Sequence, residues 1–125
     1  MHELPIIKKV LATALRYAQD NGAEKVVSVT LKVGETHDLI EDIVIKYFHY
    51  ASRNTIAEEA DLIYHALPII CQCGQCKEAF VFHLRSGPRT ECCPECGSKD
   101  FTFVSGNEFY IDNIKIKIEG KQYGF

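Results

Sequence analysis

All six cysteines of this 125-residue chain lie between Cys71 and Cys96, and four of them form two Cys-x-x-Cys pairs. The first pair is Cys73 and Cys76, and the second, after sixteen intervening residues, is Cys93 and Cys96. A two-residue spacer places both sulfurs on one side of a tight turn, and two facing turns complete a thiolate cage for Zn²⁺. The spacing therefore predicts a structural zinc site on these four cysteines.

Other roles for the cysteines remain open. A thiol oxidoreductase would need a single low-pKa Cys-x-x-Cys pair that opens a helix, and two pairs, one of them containing Pro94, fit this poorly. Cys71 and Cys92 are surplus to a four-ligand site, either as small buried side chains or as alternate ligands, and His83 is a further candidate ligand. Within the turns, we expect glycines 74 and 97 to take positive φ.

The composition narrows the class of protein. Hydrophobic residues make up 46% of the chain and charged residues 25%, which is typical of a globular domain. No apolar run approaches the ~18 residues of a membrane span, and the first residues lack the pattern of a secretory signal. We therefore expect a cytoplasmic protein without membrane association. The net charge of −3 provides no general attraction for nucleic acid.

Hydrophobic periodicity predicts two helices and several strands. Apolar residues at intervals of three and four indicate helices, and alternation indicates half-buried strands. The second helix is expected to start at Asp38, and Pro68 to break the strand that contains it. The predicted helices are Leu4–Asp20 and Leu39–Ser52, and the predicted strands are 27–33, 62–70, 78–84, 101–104 and 109–118.

The order of these segments predicts an α+β fold. Two helices would pack on a small mixed sheet, and a zinc-ribbon-like domain would be inserted between two strands of that sheet. The main α/β domain would comprise residues 1–70 plus 103–125, and the zinc-binding domain with both Cys-x-x-Cys turns would comprise residues 71–102.

The chain begins with Met1, His2 and Glu3, a second candidate metal site. The Met1 amine, the backbone nitrogen of His2 and its imidazole can all point at one ion, and nitrogen donors in one plane suit Ni²⁺ or Cu²⁺. Glu3 adds an amide nitrogen or a carboxylate oxygen. The alternative is an ordinary frayed terminus.

Taken together, these motifs resemble the HypA/HybF family of nickel-insertion proteins of [NiFe]-hydrogenase maturation. The resemblance rests on Met-His-Glu before an amphipathic helix, on the two-turn zinc insert, and on further stretches that extend it to about Glu119. These stretches are Val33-Gly34-Glu35, Asn54-Thr55-Ile56-Ala57-Glu58-Glu59-Ala60, Cys93-Pro94-Glu95-Cys96-Gly97-Ser98 and Gly106-Asn107-Glu108-Phe109-Tyr110-Ile111.

The resemblance implies a metallochaperone and not an enzyme. It implies that Met1, His2 and Glu3 bind Ni²⁺ as transferred cargo, with His2 essential, and that the main domain is the nickel-binding one. The four paired cysteines would hold Zn²⁺ in a structural and regulatory role. The implied partners are a HypB-type GTPase and the hydrogenase large subunit precursor, and in some bacteria urease maturation proteins. We expect a monomer or a weak homodimer.

This chain departs from the family pattern after the Gly-Glu turn. Some members carry an acidic residue there that approaches the nickel, and the aligned position is Ile40. His37 is a candidate substitute for that ligand.

The competing hypothesis is a zinc-ribbon module that binds nucleic acid or protein. Lys77, Arg85 and Arg89 would supply charge, and phenylalanines 80, 82 and 103 would supply stacking surfaces. The acidic net charge argues against nucleic acid, and this hypothesis leaves Met1-His2-Glu3 without a role.

Overall fold

The structure is a computed structural model that describes residues 3–84 and 88–124, with Glu3 described by its backbone alone. Its elements are α1 (Glu3–Asp20), β1 (Lys25–Gly34), a 3-10 turn (Glu35–His37), α2 (Glu41–Ala51), β2 (Asp61–Leu67), β3 (Ile69–Cys73), β4 (Ala79–Phe82), β5 (Phe101–Ser105), β6 (Phe109–Ile118) and β7 (Lys121–Gly124). They confirm the predicted fold class of two helices, mixed sheets and a zinc-ribbon-like cysteine unit.

The chain divides into two compact units. Among the described residues, the first unit contains residues 3–32, 39–65 and 110–124, and the second contains residues 33–38, 66–84 and 88–109. The predicted boundaries were 70/71 and 102/103. In the structure, residues 66–70 and 103–109 belong to the unit that contains the cysteines, because β3 pairs along its length with β4 and β5. The short segment 33–38 also joins that unit.

Helix α1 forms where its apolar periodicity predicts. Ile7, Val10, Ala14 and Ala18 are buried along one face, and the helix packs against α2. The helix ends at Asp20 as predicted, and the N–H groups of residues 22 and 23 bond to carbonyl oxygens of residues 19 and 18 at 3.1 and 2.9 Å. Among the described residues, no helix has the length and apolarity needed to cross a membrane.

Strand β1 is more buried than its alternating pattern suggests. A half-buried strand would expose Ser28 and Thr30, which alternate with the apolar residues, but both side chains are buried, together with Val29 and Leu31. The reason is that β1 lies in the interior of the four-stranded sheet, whose order is β2-β1-β6-β7. A central strand can be covered on both faces, and alternation alone does not distinguish that case.

Helix α2 begins later than predicted. Asp38 does not cap it, because Asp38 has a φ of 57° and ends the 3-10 turn, its N–H bonding to the Glu35 carbonyl oxygen at 3.1 Å. The helix begins at Glu41 with Ile40 as its N-cap residue. Val44 and Phe48 are its buried anchors.

The sheet of the first unit is completed by the C-terminal strands. Bonds from the N–H of Glu24 to the Lys117 carbonyl and from the N–H of Gly34 to the Glu108 carbonyl, at 2.9 and 2.7 Å, show that β1 and β6 run antiparallel. Strand β6 has the predicted bounds. Strand β7 was not predicted; it pairs antiparallel with β6 as a short, exposed hairpin arm.

The second unit is built on a three-stranded sheet of order β4-β3-β5. Pro68 separates β2 from β3, as predicted. One face of the sheet carries a small core around Ile69, Cys71 and Phe80, which is completed by Cys73, Phe82 and Cys93. This core is small for a folding unit, so a bound metal would add substantially to its stability.

A tight junction fastens the segment 33–38 within this second unit. The Thr36 N–H and hydroxyl both donate to the Gly106 carbonyl oxygen, at 3.0 and 2.7 Å, and the Gly106 N–H donates to the Glu108 carboxylate at 2.8 Å. Gly34 lies so close to Gly106 that a Cβ on Gly34 would overlap the Gly106 carbonyl oxygen. Glycine is therefore required at position 34 by close backbone approach.

Candidate metal centre

The four paired cysteines converge on one point. The sulfurs of Cys73 and Cys96 lie 3.5 Å apart, those of Cys76 and Cys93 lie 3.7 Å apart, and all four lie within 4.8 Å of one another. Sulfurs at about 2.3 Å from a tetrahedral Zn²⁺ are separated by about 3.8 Å. The separations in this cluster therefore fit four thiolates around one zinc ion.

Two backbone hydrogen bonds hold the first turn in place. The Cys73 N–H bonds to the Glu78 carbonyl oxygen at 2.9 Å, and the Gly74 N–H bonds to the Asp100 carbonyl oxygen at 2.7 Å. The expected positive φ is not at Gly74 but at Lys77, where φ is 66°. Gly74 is needed for space instead, because a Cβ there would overlap the Asp100 carboxylate.

The second turn repeats the backbone pattern of the first. The Cys93 N–H bonds to the Ser98 carbonyl oxygen at 2.8 Å, five residues on, as the Cys73 N–H does to residue 78. Gly97 has a φ of 78°, which confirms the positive φ expected there, and its position matches that of Lys77. The two turns are thus near copies that present their sulfurs to a common centre.

The sulfur of Cys73 is prepared for the thiolate state. The pKa of Cys73 is lowered to about 6, chiefly because the Cys76 N–H points at its sulfur at 3.5 Å; burial opposes this, and the Gln75 N–H at 3.3 Å reinforces it. Backbone N–H donors of this kind stabilise a thiolate whether or not it also binds a metal.

The sulfur of Cys76 behaves in the opposite way. The Glu78 N–H acts to lower its pKa, but burial and the three neighbouring thiols outweigh that and raise it to about 12. Thiols this close together cannot all ionise, because their negative charges repel one another. A divalent cation at the centre would remove that penalty, which is the behaviour expected of a metal cage.

The two surplus cysteines lie outside the cluster. All six cysteines are among the described residues and all are free thiols. Cys71 is fully buried in the core of the second unit, and burial raises its pKa, so it behaves as a small apolar side chain. Cys92 is partly exposed. Among the described residues, the cluster contains neither of them and no histidine, so His83 is not brought to it.

The predicted nickel residues are only partly described. Met1 and His2 lie outside the described residues, and so does the side chain of Glu3, whose backbone begins α1. His37 does lie within them. Its Nε2 atom is 2.8 Å from the Asn107 carbonyl oxygen, and its ring packs edge-on against Phe109. One ring nitrogen of His37 is therefore used by the junction around Gly106.

The sequence did not indicate that two further residues, Lys77 and Asp100, help to build the centre. Lys77 takes the left-handed backbone position of the first turn and donates from Nζ to the Gly74 carbonyl oxygen at 2.9 Å. Asp100 anchors Gly74 from beyond the second turn. The correspondence of Lys77 with Gly97, each following the second cysteine of its pair, is a signal that the sequence does carry.

The sequence and the fold were compared with known proteins. Residues 1–116 match the family described as "Hydrogenase/urease nickel incorporation, metallochaperone, hypA". Hydrogenase maturation factor HypA of Dehalococcoides mccartyi is 33% identical over 121 residues, covering 97% of this chain and 98% of the relative. The protein of the same name from Pyrococcus furiosus is 32% identical over an alignment of 139 residues, covering 98% and 100%.

Solved structures agree on the fold. A solution structure of the nickel metallochaperone HypA from Helicobacter pylori has a TM-score of 0.59 at 21% identity, covering 95% of this chain and 100% of that one. A second solution structure of a HypA protein has a TM-score of 0.63 at 20% identity, covering 97% and 98%. A sequence match along nearly the whole chain and a matching fold place this protein in the HypA family of hydrogenase maturation factors.

Proposed function

We propose that this protein is a nickel metallochaperone that delivers Ni²⁺ to a [NiFe]-hydrogenase during its maturation. One observation carries the proposal: the family match begins at residue 1 and so includes Met1-His2-Glu3 together with both cysteine pairs. Relatives of nearly equal length are hydrogenase maturation factors. The protein has a carrier role and not a catalytic one, and it acts in the cytoplasm, where free thiols persist.

The proposed nickel ligands are the Met1 amine, the His2 imidazole and amide, and a contribution from Glu3. A terminal site of this kind is open on one side, so a receiving site can approach the ion and take it. The amine and the imidazole have reference pKa values of about 7.7–8.0 and about 6.5. Because both must lose a proton to bind, nickel affinity should fall as the pH falls through neutrality.

The proposed zinc ligands are Cys73, Cys76, Cys93 and Cys96. A four-cysteine site has no open coordination position, so zinc there would stabilise the fold and not react. Bound zinc would supply the positive charge that lets all four sulfurs be thiolates. The sulfur separations and the paired turns support this assignment.

The proposed partners follow from the carrier role. They are a HypB-type GTPase and the large subunit precursor of the hydrogenase, with urease maturation proteins as alternative receivers. The family description names both hydrogenase and urease as destinations of nickel.

Calorimetry on protein with a native, untagged N-terminus tests the nickel proposal. Wild type should bind about one Ni²⁺ per chain, and His2→Ala should bind none. The matched control is His65→Ala, which removes an exposed histidine from β2 and should leave nickel binding unchanged. Zinc content should be equal in all three. Full nickel binding by His2→Ala would refute the N-terminal site.

A further inference from the structure

Strand β5 forms an unusually apolar edge of the second unit. It has the sequence Phe-Thr-Phe-Val-Ser, and within the described residues no strand pairs with its outer side. Phe103 is 62% exposed and Val104 is 60% exposed. Natural edge strands are usually protected by charged residues, proline or bulges. Here the register shift opposite Ile70 and Cys71 affects only the end of β5 and leaves Phe101–Phe103 regularly paired on one side.

Beside this edge lies an open groove with an aromatic floor. The groove has a volume of about 480 Å³, and Phe82, Phe101 and Phe103 form its base. The rings of Phe82 and Phe103 pack edge to face with centroids 5.4 Å apart, and Phe101 lies 6.0 Å from Phe82. The floor is therefore preformed, so an apolar side chain could enter without reorganising it.

Two positively charged side chains on the walls of the groove have no carboxylate bound to them in the part of the chain that the structure describes. Arg89 and Lys99 line it, and among the described residues neither forms an ion pair. Glu91 is the one carboxylate in the described lining, so the cations outnumber it. This local excess contrasts with the net charge of −3 of the whole chain.

We propose that this groove is a docking site for an extended segment of a partner protein that carries carboxylates on either side of an apolar residue. The apolar residue would lie on the phenylalanine floor, the carboxylates would face Arg89 and Lys99, and the backbone would run along Phe101–Phe103 of β5. The proposal does not depend on the nickel site.

Charge favours this occupant over two others. A second copy of this chain that paired through its own β5 would bring its own Arg89 and Lys99 against the same residues, and like charges across an interface are unfavourable. A nucleic acid would place phosphates near Glu91 on a protein of negative net charge, where two cations supply little of the counterion release that such binding needs.

The test uses ¹⁵N-labelled full-length protein with its native metal content. The probe is a short peptide that alternates glutamate with valine, titrated while backbone amide shifts are recorded by NMR. We expect saturable shifts confined to residues 89–91, 99 and β5. Reversing one exposed charge, Lys99→Glu, should weaken binding by about fivefold, and adding Arg89→Glu should weaken it further.

Three controls accompany the titration. Lys46→Glu reverses an exposed lysine on α2 and should leave the affinity unchanged. A peptide that alternates lysine with valine should not bind. Phe103→Ser should abolish binding while zinc content stays at the wild-type level; if this variant fails to fold, the charge reversals still decide.

Four results would overturn the proposal. These are the absence of shifts up to the solubility limit of the peptide, equal binding of the lysine peptide, and tighter binding of an oligothymidylate to the same amides. The fourth is concentration-dependent shifts of β5 without any peptide, which would identify a second copy of the chain as the occupant.

Discussion

Cys71 and Cys73 lie two residues apart on β3, and both are fully buried, yet they have different roles. The sulfur of Cys73 accepts backbone hydrogen bonds and lies 3.5 Å from that of Cys96. Cys71 lies outside the cluster, in a core with Phe80 and Phe82. Residue type and burial are the same at both positions, so the surroundings of each sulfur determine what it does.

This difference predicts the effects of two matched substitutions. Cys73→Ala should abolish zinc binding and unfold the second unit, because it removes a ligand. Cys71→Ala should retain zinc and lower the free energy of unfolding by about 1 kcal/mol, the cost of a small cavity. Zinc content and chemical denaturation measure both. Loss of zinc from Cys71→Ala would show that Cys71 is a ligand.

Gly34 should tolerate no side chain. Gly34→Ala should lower the free energy of unfolding by about 2–3 kcal/mol, because the new Cβ would overlap the backbone of Gly106. The control is Gly22→Ala, where φ is 66° and a Cβ would meet no atom within 4 Å. That substitution carries only the backbone cost of about 1 kcal/mol. Equal effects in urea denaturation would argue against the close contact.

At the scale of elements, the long periodic segments were predicted well, whereas the start of α2 and the features that depend on distant residues were not. The bounds of α1 and β6 follow from periodicity, because apolar spacing reports which face of an isolated segment is buried. The two-sided burial of β1 depends on its neighbours in the sheet, and β7 has no buried residue that could produce a pattern. Those features are set by tertiary contacts that no short window contains.

The same distinction applies to the metal centre. The four converging cysteines could be predicted because a Cys-x-x-Cys turn is a local geometry. The role of Asp100 could not be predicted in this way. Its carbonyl oxygen accepts a hydrogen bond from Gly74, which lies in the other turn and far away in the sequence. The positive φ was expected at Gly74 from residue type alone. It occurs instead at Lys77, where the turn geometry requires it of a residue that is not glycine.

Helix α2 should depend on one aromatic anchor. Phe48 is fully buried, whereas Tyr50 is 62% exposed and contacts the Arg53 guanidinium 4.2 Å above its ring. Phe48→Ala should lower the free energy of unfolding by about 3–5 kcal/mol. Tyr50→Ala should cost less than about 1 kcal/mol. Thermal denaturation of the two variants tests this, and similar midpoints would contradict it.

At the scale of the whole molecule, the two units are stabilised differently. The first has a core supplied by two helices and a four-stranded sheet, whereas the second has a small core around Ile69 and a cluster of four thiols. Structural zinc binding is worth about 10–16 kcal/mol in peptides near neutral pH. For the second unit, most of the stability would then come from the metal.

Acid together with a chelator should therefore unfold one unit selectively. Without metal the Cys76 thiol, with a pKa of about 12, holds its proton, whereas zinc requires the thiolate. The metal-free state thus binds more protons, so zinc affinity must fall as the pH falls. Hydrogen exchange should show loss of protection in β3, β4 and β5 while α1 and α2 stay protected. Simultaneous loss in both units would contradict this.

The order of the ligands along the chain also bears on how the protein is made. All four thiols lie between residues 73 and 96. The four-stranded sheet, in contrast, cannot form until β6, at residues 109–118, is available to pair with β1. Contacts between nearby residues form faster than those that close long loops. On the ribosome, the chain therefore presents a complete set of zinc ligands before β6, one of the two strands that flank β1, has been synthesised, and metal capture can precede the completion of that sheet.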